Sequence, residues 1–426
     1  MNGAAARPVV GLFGAFDTGE LGEVALRRVL ESELIRRRPD ILIAALAPFG
    51  AERPIPGDEG RPPLPLPRGG GPDSLGLDAM IIAGDVLGDD QHWAMRYPAP
   101  AEAMADRGVA TLALTGTLGG RDAAALVAWF AVGPAGGEVA VTGLAGKDVW
   151  ARDQSTQERL GGTAVQSGDP VLLAGRVFSP DALRRRADLL RMCGALPAGR
   201  RLVIEAVPEL AASPGGERLV DAIAATLSAD PNLSVVVVNL DPTRGGTLGV
   251  PGLIAERVHH LPVWVGLDDI AAAMSGSVAA VAMSPAGAHL AASLGVPISA
   301  IDLGTRERFD PAIPMLDADI PDAIPRLVAG GHPVAIDTAI QTLDGALAEL
   351  AERLPRAAGP ARAAVVPDPG TSALVILQRR LVDERTALQA ELSRVQSELD
   401  HLRASPEHRL ARPIREGYQR WQRRRT

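Results

Sequence analysis

His289 stands at the mouth of a helix that follows a buried strand, and the residues around it are the chain's clearest opening for chemistry. From Asp268 to Leu303 the sequence reads DDIAAAMSGSVAAVAMSPAGAHLAASLGVPISAIDL. The apolar run Val278 to Met283 predicts a buried parallel strand, and Ser284, Pro285 and Gly287 break it and open a helix. His289 therefore falls near the carboxyl edge of a sheet, where open α/β sheets bind their ligands. A histidine there can give or take a proton. It can equally be a buried side chain satisfied by a backbone carbonyl.

Three further polar loops lie at predicted strand ends. In the first, Gly11, Gly14, Gly19 and Gly22 surround Asp17 and Glu20. The spacing is neither a dinucleotide fingerprint nor a phosphate loop, and the two acids argue against direct phosphate cradling. The second carries Asp85, Asp89, Asp90 and His92, which could coordinate a hard cation; acid clusters on loops are usually solvated, and no metal or cofactor is assigned. In the third, VWARDQSTQERL, Arg152 and Asp153 precede a helical pattern holding Ser155 and Thr156. An arginine so placed can grip a carboxylate or phosphate in bidentate fashion, or pair with Asp153.

The elements that must position these loops alternate strand and helix. Strands are expected at 8–13, 41–47, 79–83, 110–114 and 138–142, with helices at 23–37 and 121–131. A short strand turns into a helix within 148–162, and the Pro- and Gly-rich stretch 54–72 reads as a surface loop. A second series has strands at 202–206, 234–240, 263–265, 278–283 and 298–302 and helices at 216–227 and 268–274. With a break near 183–199, this predicts two Rossmann-like doubly wound domains, 1–190 and 198–354, whose facing cleft is the default site. A Pro/Ala-rich linker follows at 355–372. Leu374, Leu381, Leu388, Val395 and Leu402 then recur every seven residues, predicting a coiled-coil helix at 373–404 that would pair copies of the chain. The tail, 405–426, holds seven Arg against two Glu with Tyr418 and Trp421 among them, a composition suited to an anionic membrane surface or to a solvated end.

Size and composition bound the function. At 426 residues, 46% apolar and 22% charged, the chain can bury two cores. Its formal charge of −8 argues against nucleic-acid binding. The single cysteine, Cys193, lies in a helix-like run; it excludes an internal disulfide and fits a reducing compartment. No run of about 18 apolar residues predicts a membrane span. The protein is expected in the cytoplasm, peripheral at the inner membrane face.

Taken in order, GAFDTGELGEVAL, DAMIIAGDVLGDD, VWARDQSTQERL with SGDPVLL, and MSPAGAHLAASLGVP resemble the motifs of the polysaccharide pyruvyl transferase family across residues 8 to 305. The resemblance implies two Rossmann-like domains similar to GT-B glycosyltransferases, and transfer of pyruvate from phosphoenolpyruvate to a saccharide acceptor of a cell-surface polysaccharide or its precursor. It casts His289 as the acid and Asp17 or Glu20 as the base. It implies substrate contacts from Gly14, Gly19, Asp85, Arg152, Asp153, Ser155, Thr156, Asp169, Ser284 and Gly287. Asp169 with Pro170 matches the family's D-P pair. Gly287, however, stands where the family's donor motif has an arginine. Losing that cation would cost about 2 to 5 kcal/mol of donor binding unless another replaced it; Arg152, Arg176 and Arg306 are the candidate substitutes. Two other readings follow from the same residues: a catalytically silent relative that binds glycan or scaffolds other enzymes, and a GT-B glycosyltransferase using a nucleotide sugar.

Overall fold

The computed structural model describes residues 7–16, 20–47, 63–65, 77–84, 110–115, 149–152, 157–158, 165–207, 214–241, 255–262, 265–303, 309–316 and 319–356. The chain divides into two compact units, Met1–Arg362 and Ala363–Thr426, and all described residues lie in the first. The expected coiled coil and basic tail lie outside the described residues. So do the helix expected at 121–131 and the strand at 138–142.

Two wholly parallel sheets form the frame. The first has the order β3-β2-β1-β4-β5-β6-β7, with β1 Val9–Phe13, β2 Leu42–Ala47, β3 Leu64–Pro65, β4 Ala79–Gly84, β5 Ala110–Thr115, β6 Val149–Ala151 and β7 Val165–Gln166. The second has the order β10-β9-β8-β11-β12-β13, with β8 Arg200–Glu205, β9 Leu233–Val238, β10 Val258–His260, β11 Ala279–Ala282, β12 Ile298–Ile301 and β13 Met315–Leu316. Strands such as LSVVVV and AAVA are apolar along their length because helices cover both faces of a parallel sheet. Each sheet winds outward from its first strand and then reverses, so the expected Rossmann-like doubly wound class stands. The switch points fall between β1 and β4 and between β8 and β11.

Among the described residues the helices are α1 Leu21–Arg37, α2 Ala174–Val177, α3 Pro180–Met192, α4 Pro214–Ala229, α5 Leu267–Met274, α6 Pro285–Ser293, α7 Ile320–Gly330 and α8 Asp337–Arg353. Helix α1 is buried nearly all round, including Glu23, Arg27 and Glu33, because it packs on its own sheet and also on α5 and α6. Helix α8 follows the second sheet in sequence yet packs on α1 and β7, while α3 packs on α5. Each half therefore receives one helix from the other's sequence range.

The structure corrects two sequence expectations and bears on a third. The 54–72 stretch contains β3, which pairs with β2 through Leu46–Leu64 and Ala47–Pro65; a two-residue edge strand carries no periodicity to read. The described edge strand of the second sheet is β10, at Val258–His260, where the edge position tolerates His259 and His260; of the strand expected at 263–265, residues 263 and 264 lie outside the described residues. The expected break at 183–199 is mostly helix α3, with Leu183, Ala187 and Leu190 buried along one face. Its end is set by Gly194 at φ +76, after which the Ala195 and Leu196 N–H groups donate to the Leu190 carbonyl.

Arg38 ties α8 to the first half. Its guanidinium donates to the carbonyls of Ala351 at 2.9 Å, Leu354 at 3.0 Å and Pro355 at 2.8 Å, the groups a helix end leaves unpaired. Arg38→Ala is expected to lower stability by about 1 to 3 kcal/mol in chemical denaturation.

Candidate functional site

The carboxyl edges of the two sheets meet at the amino ends of α1 and α6. The Leu21 N–H donates to the Leu240 carbonyl at 2.7 Å, joining the start of α1 to the loop after β9. A Cβ on Gly22 would lie 2.8 Å from the Ala286 Cβ, so the two helix starts touch. At the other end of α6, a Cβ on Gly175 would lie 2.3 Å from the Ser293 carbonyl oxygen. Helix α6, which carries His289, is thus gripped between α1 and α2.

Of the residues expected to act, Arg152, Asp169 and His289 come together. Asp169 starts the 3-10 turn Pro170–Leu173, and its Oδ1 accepts from the Val171 N–H at 2.9 Å. Its Oδ2 accepts from Arg152 Nη2 at 2.5 Å and lies 3.3 Å from His289 Nδ1. Burial would push the Asp169 carboxyl up, but the Arg152 guanidinium and the His289 ring override it and hold it well below the usual carboxylate range. His289 is 1% exposed, and its Nε2 accepts the Asp310 N–H at 3.1 Å. The ring proton is therefore assigned to Nδ1, which faces Asp169 without hydrogen-bond alignment. Both ring nitrogens face protein groups. This matches the buried-histidine alternative, with an N–H in place of the expected carbonyl, and the ring links α6, the 3-10 turn and the segment 309–316.

Ser284 and Gly287 belong to a second cluster around a residue that sequence reasoning missed. The parallel register Ala279–Leu202 to Val281–Ile204 brings Glu205, the last residue of β8, beside the end of β11. Glu205 Oε2 accepts from the Met283 and Ser284 N–H groups, both at 2.9 Å, and the Ser284 hydroxyl donates to Oε1 at 2.6 Å. The Ser284 Oγ in turn accepts from the Gly287 N–H at 3.1 Å, capping α6. Burial raises the Glu205 carboxyl above its ordinary value, with no cation offsetting it. A Cβ on Gly287 would lie 2.2 Å from Glu205 Oε2. The missing arginine thus has a physical cause: a carboxylate fills the space where any side chain at 287 would begin. The only sequence signal was an acid closing the apolar run Leu202–Ile204 of the strand RRLVIE.

Asn239 follows the neighbouring strand β9; its Oδ1 accepts from the Asp241 N–H at 2.8 Å, and its buried Nδ2 has no hydrogen-bond partner among the described residues. In the first half, Gly14 is fixed by packing, since a Cβ there would lie 2.5 Å from the Phe16 ring and 2.9 Å from the Ala83 carbonyl oxygen. Glu20 is exposed at the start of α1. Asp17, Gly19, Asp85, Asp153, Ser155, Thr156 and Arg306 lie outside the described residues. Arg176 pairs with Asp344, on α8. Among the described residues no group of His, Cys, Asp and Glu could hold a metal ion, and no helix is long and apolar enough to cross a membrane.

No family model and no curated protein matches the chain. Among solved structures it is similar to UDP-GlcNAc 2-epimerase from Neisseria meningitidis bound to UDP-GlcNAc, at 12% identity and TM-score 0.46, over 79% of this chain and 99% of that one. It is similar to the Methanocaldococcus jannaschii UDP-GlcNAc 2-epimerase in complex with UDP-GlcNAc and UDP, at 10% identity and TM-score 0.45, over 80% and 99%. It is also similar to E. coli ADP-heptose LPS heptosyltransferase II, at 12% identity and TM-score 0.36, over 81% and 99%. These scores are low, and the two-sheet architecture rests on its own strand pairing.

Proposed function

We propose that the protein is a GT-B-type protein that binds a nucleotide sugar at the carboxyl edge of its second sheet and serves glycosyl transfer to a saccharide acceptor. The observation that carries this reading is the set of groups at the carboxyl ends of β8, β9 and β11. Glu205, Asn239 and Ser284 present carboxyl, amide and hydroxyl functions on a doubly wound sheet, and no described cation joins them. Such groups suit the hydroxyls of ribose and sugar, and Asn239 Nδ2 is a buried donor lacking an acceptor among the described residues. Phosphoenolpyruvate needs the opposite chemistry, several fixed cations around a carboxylate and a phosphate. Gly287 carries no cation, Arg152 is held by the buried Asp169, and Arg176 pairs with Asp344 on α8, away from the switch points. Pyruvyl transfer is therefore the less favoured reading.

One observation favours a second reading, the catalytically silent relative. A diphosphate would most naturally sit on the amino end of α6, and there the Met283 and Ser284 N–H groups already bond to Glu205. Calorimetry with nucleotide sugars on the intact protein and on Asn239→Leu separates the two. The nucleotide-sugar reading expects binding that weakens severalfold in Asn239→Leu. Absence of binding by folded wild-type protein favours the silent relative.

A further inference from the structure

Away from both switch points, the carboxyl end of α1, the short α2 and the middle of α8 enclose a shallow cavity of about 480 Å³, lined by Arg36, Arg37, Arg176, Asp344 and Ala348. At its base Glu33 is 2% exposed and pairs with Arg36 and Arg37. Arg176 donates to both oxygens of Asp344, at 2.7 and 2.6 Å; Arg37 Nη2 reaches the same carboxylate at 2.5 Å, and Arg36 Nη2 lies 3.7 Å from it. Three guanidiniums thus face two carboxylates, leaving one positive charge in excess on a chain whose formal charge is −8. Both acids are ionised at neutral pH. Arg176 foremost holds Asp344 below its ordinary value, and at Glu33 the two neighbouring arginines outweigh burial, which pushes the other way.

The two carboxylates differ in what it takes to displace them. Glu33 is buried beneath its cations, whereas Asp344 is 35% exposed and its partner Arg176 38%. Its exposure leaves this pair screened by water and salt where Glu33 is not, although the two-bond geometry and the shared Arg37 make it stronger than a lone surface pair. The parallel two-bond grip of Arg176 on Asp344 is the geometry with which arginine holds a phosphate oxyanion, and Arg36, 55% exposed, is the cation least committed to Asp344. We propose that this cavity is a binding site for a phosphate group, in which Asp344 is the internal competitor that a phosphate displaces. The site stands apart from the switch points and does not depend on the nucleotide-sugar reading.

The test uses the intact protein at constant ionic strength. Orthophosphate and pyrophosphate are expected to raise Tm where equal ionic strength of chloride does not. The response is expected to disappear in the double variant Arg36→Ala/Arg176→Ala and to reach half-saturation at severalfold lower phosphate in Asp344→Asn. Arg36→Ala alone, which leaves Arg37 and Arg176 on Glu33, is expected to weaken the response. If the cluster only braces α8 against α1, each variant lowers Tm and phosphate changes nothing in wild type or in Asp344→Asn, which overturns the proposal. An equal phosphate response in the double arginine variant overturns it as well. Vesicles of phosphatidylcholine with and without phosphatidylglycerol identify the source: arginine-dependent sedimentation with the anionic vesicles assigns the phosphate to a lipid headgroup, and its absence beside a positive orthophosphate response assigns it to a soluble phosphate ester.

Discussion

Gly287→Ala is expected to destabilise the protein by about 3 kcal/mol, an overpacking cost at the upper end of the usual range. The new Cβ would lie 2.2 Å from Glu205 Oε2 and 2.8 Å from its Cδ. A terminal carboxylate could ordinarily swing aside, but this one is buried and bonded to two backbone N–H groups and a hydroxyl. Moving it would strip the Met283 and Ser284 N–H groups of their acceptor, at about 1 to 3 kcal/mol for each buried group left unpaired. Gly287→Arg, which places at 287 the arginine of the motif that the sequence resembles, meets the same obstacle and is expected to cost at least as much. The effect is also expected to be coupled. Glu205→Ala opens the space that a side chain at 287 needs, so the double variant Glu205→Ala/Gly287→Ala should lose about 1 to 2 kcal/mol less than the two single changes added together. Urea unfolding of the four proteins measures that cycle, and strict additivity would remove Glu205 as the reason for the glycine.

Asp169→Ala is expected to cost about 3 kcal/mol, because it takes the carboxylate from the half-buried Arg152 and from the 3-10 turn it starts. The pH dependence carries a definite sign. A carboxyl whose folded pKa is depressed contributes stability that is complete above its unfolded value, about 4, and is lost as pH falls through the folded value. Asp169 is such a group, held down by Arg152 and His289 against the opposing effect of burial. Asp169→Asn keeps the acceptor for the Val171 N–H but not the charge. Its deficit relative to wild type should be constant from about pH 5 to 7 and should shrink steadily below about pH 4. A deficit that does not change down to the acid transition would mean that the carboxylate's charge is not what Arg152 and His289 require.

The sequence exposed those parts of the fold that repeat a simple physical pattern. Strands β1, β2, β4, β5, β8, β9, β11 and β12 are runs of apolar residues because both faces of their sheets are covered, and these runs were readable to within a residue or two. The edge strands β3, β7, β10 and β13 have two or three residues each, and pairing with a neighbour decides them rather than any local preference. Helix α3 is legible as the helix-like run before Cys193, with Leu183, Ala187 and Leu190 on one buried face, but nothing local tells that it packs on α5 across the division between the two halves. The crossing of α8 back onto α1 left no trace in the sequence, since Arg38 finds its carbonyl partners more than 310 residues away.

The candidate site divides in the same way. Arg152, Asp169 and His289 could be picked out as residue types at strand and helix ends, but their meeting depends on how α6 packs between α1 and α2. Gly287 was visible as a departure from a motif. Its cause, Glu205, lies 78 residues before the Met283 N–H that it accepts, at the end of a strand whose sequence, RRLVIE, does not tell what the acid faces.

Direct titration of the intact protein, calorimetrically, with UDP, thymidine diphosphate, ADP and phosphoenolpyruvate tests the central claim most directly. The account predicts saturable heat with at least one of the nucleoside diphosphates, at a Kd between about 1 μM and 1 mM, that survives in Arg36→Ala/Arg176→Ala, where the separate phosphate cavity is removed, and none in that variant with phosphoenolpyruvate. Phosphoenolpyruvate binding in that variant without any nucleotide binding would contradict it and return the protein to pyruvyl transfer despite Gly287.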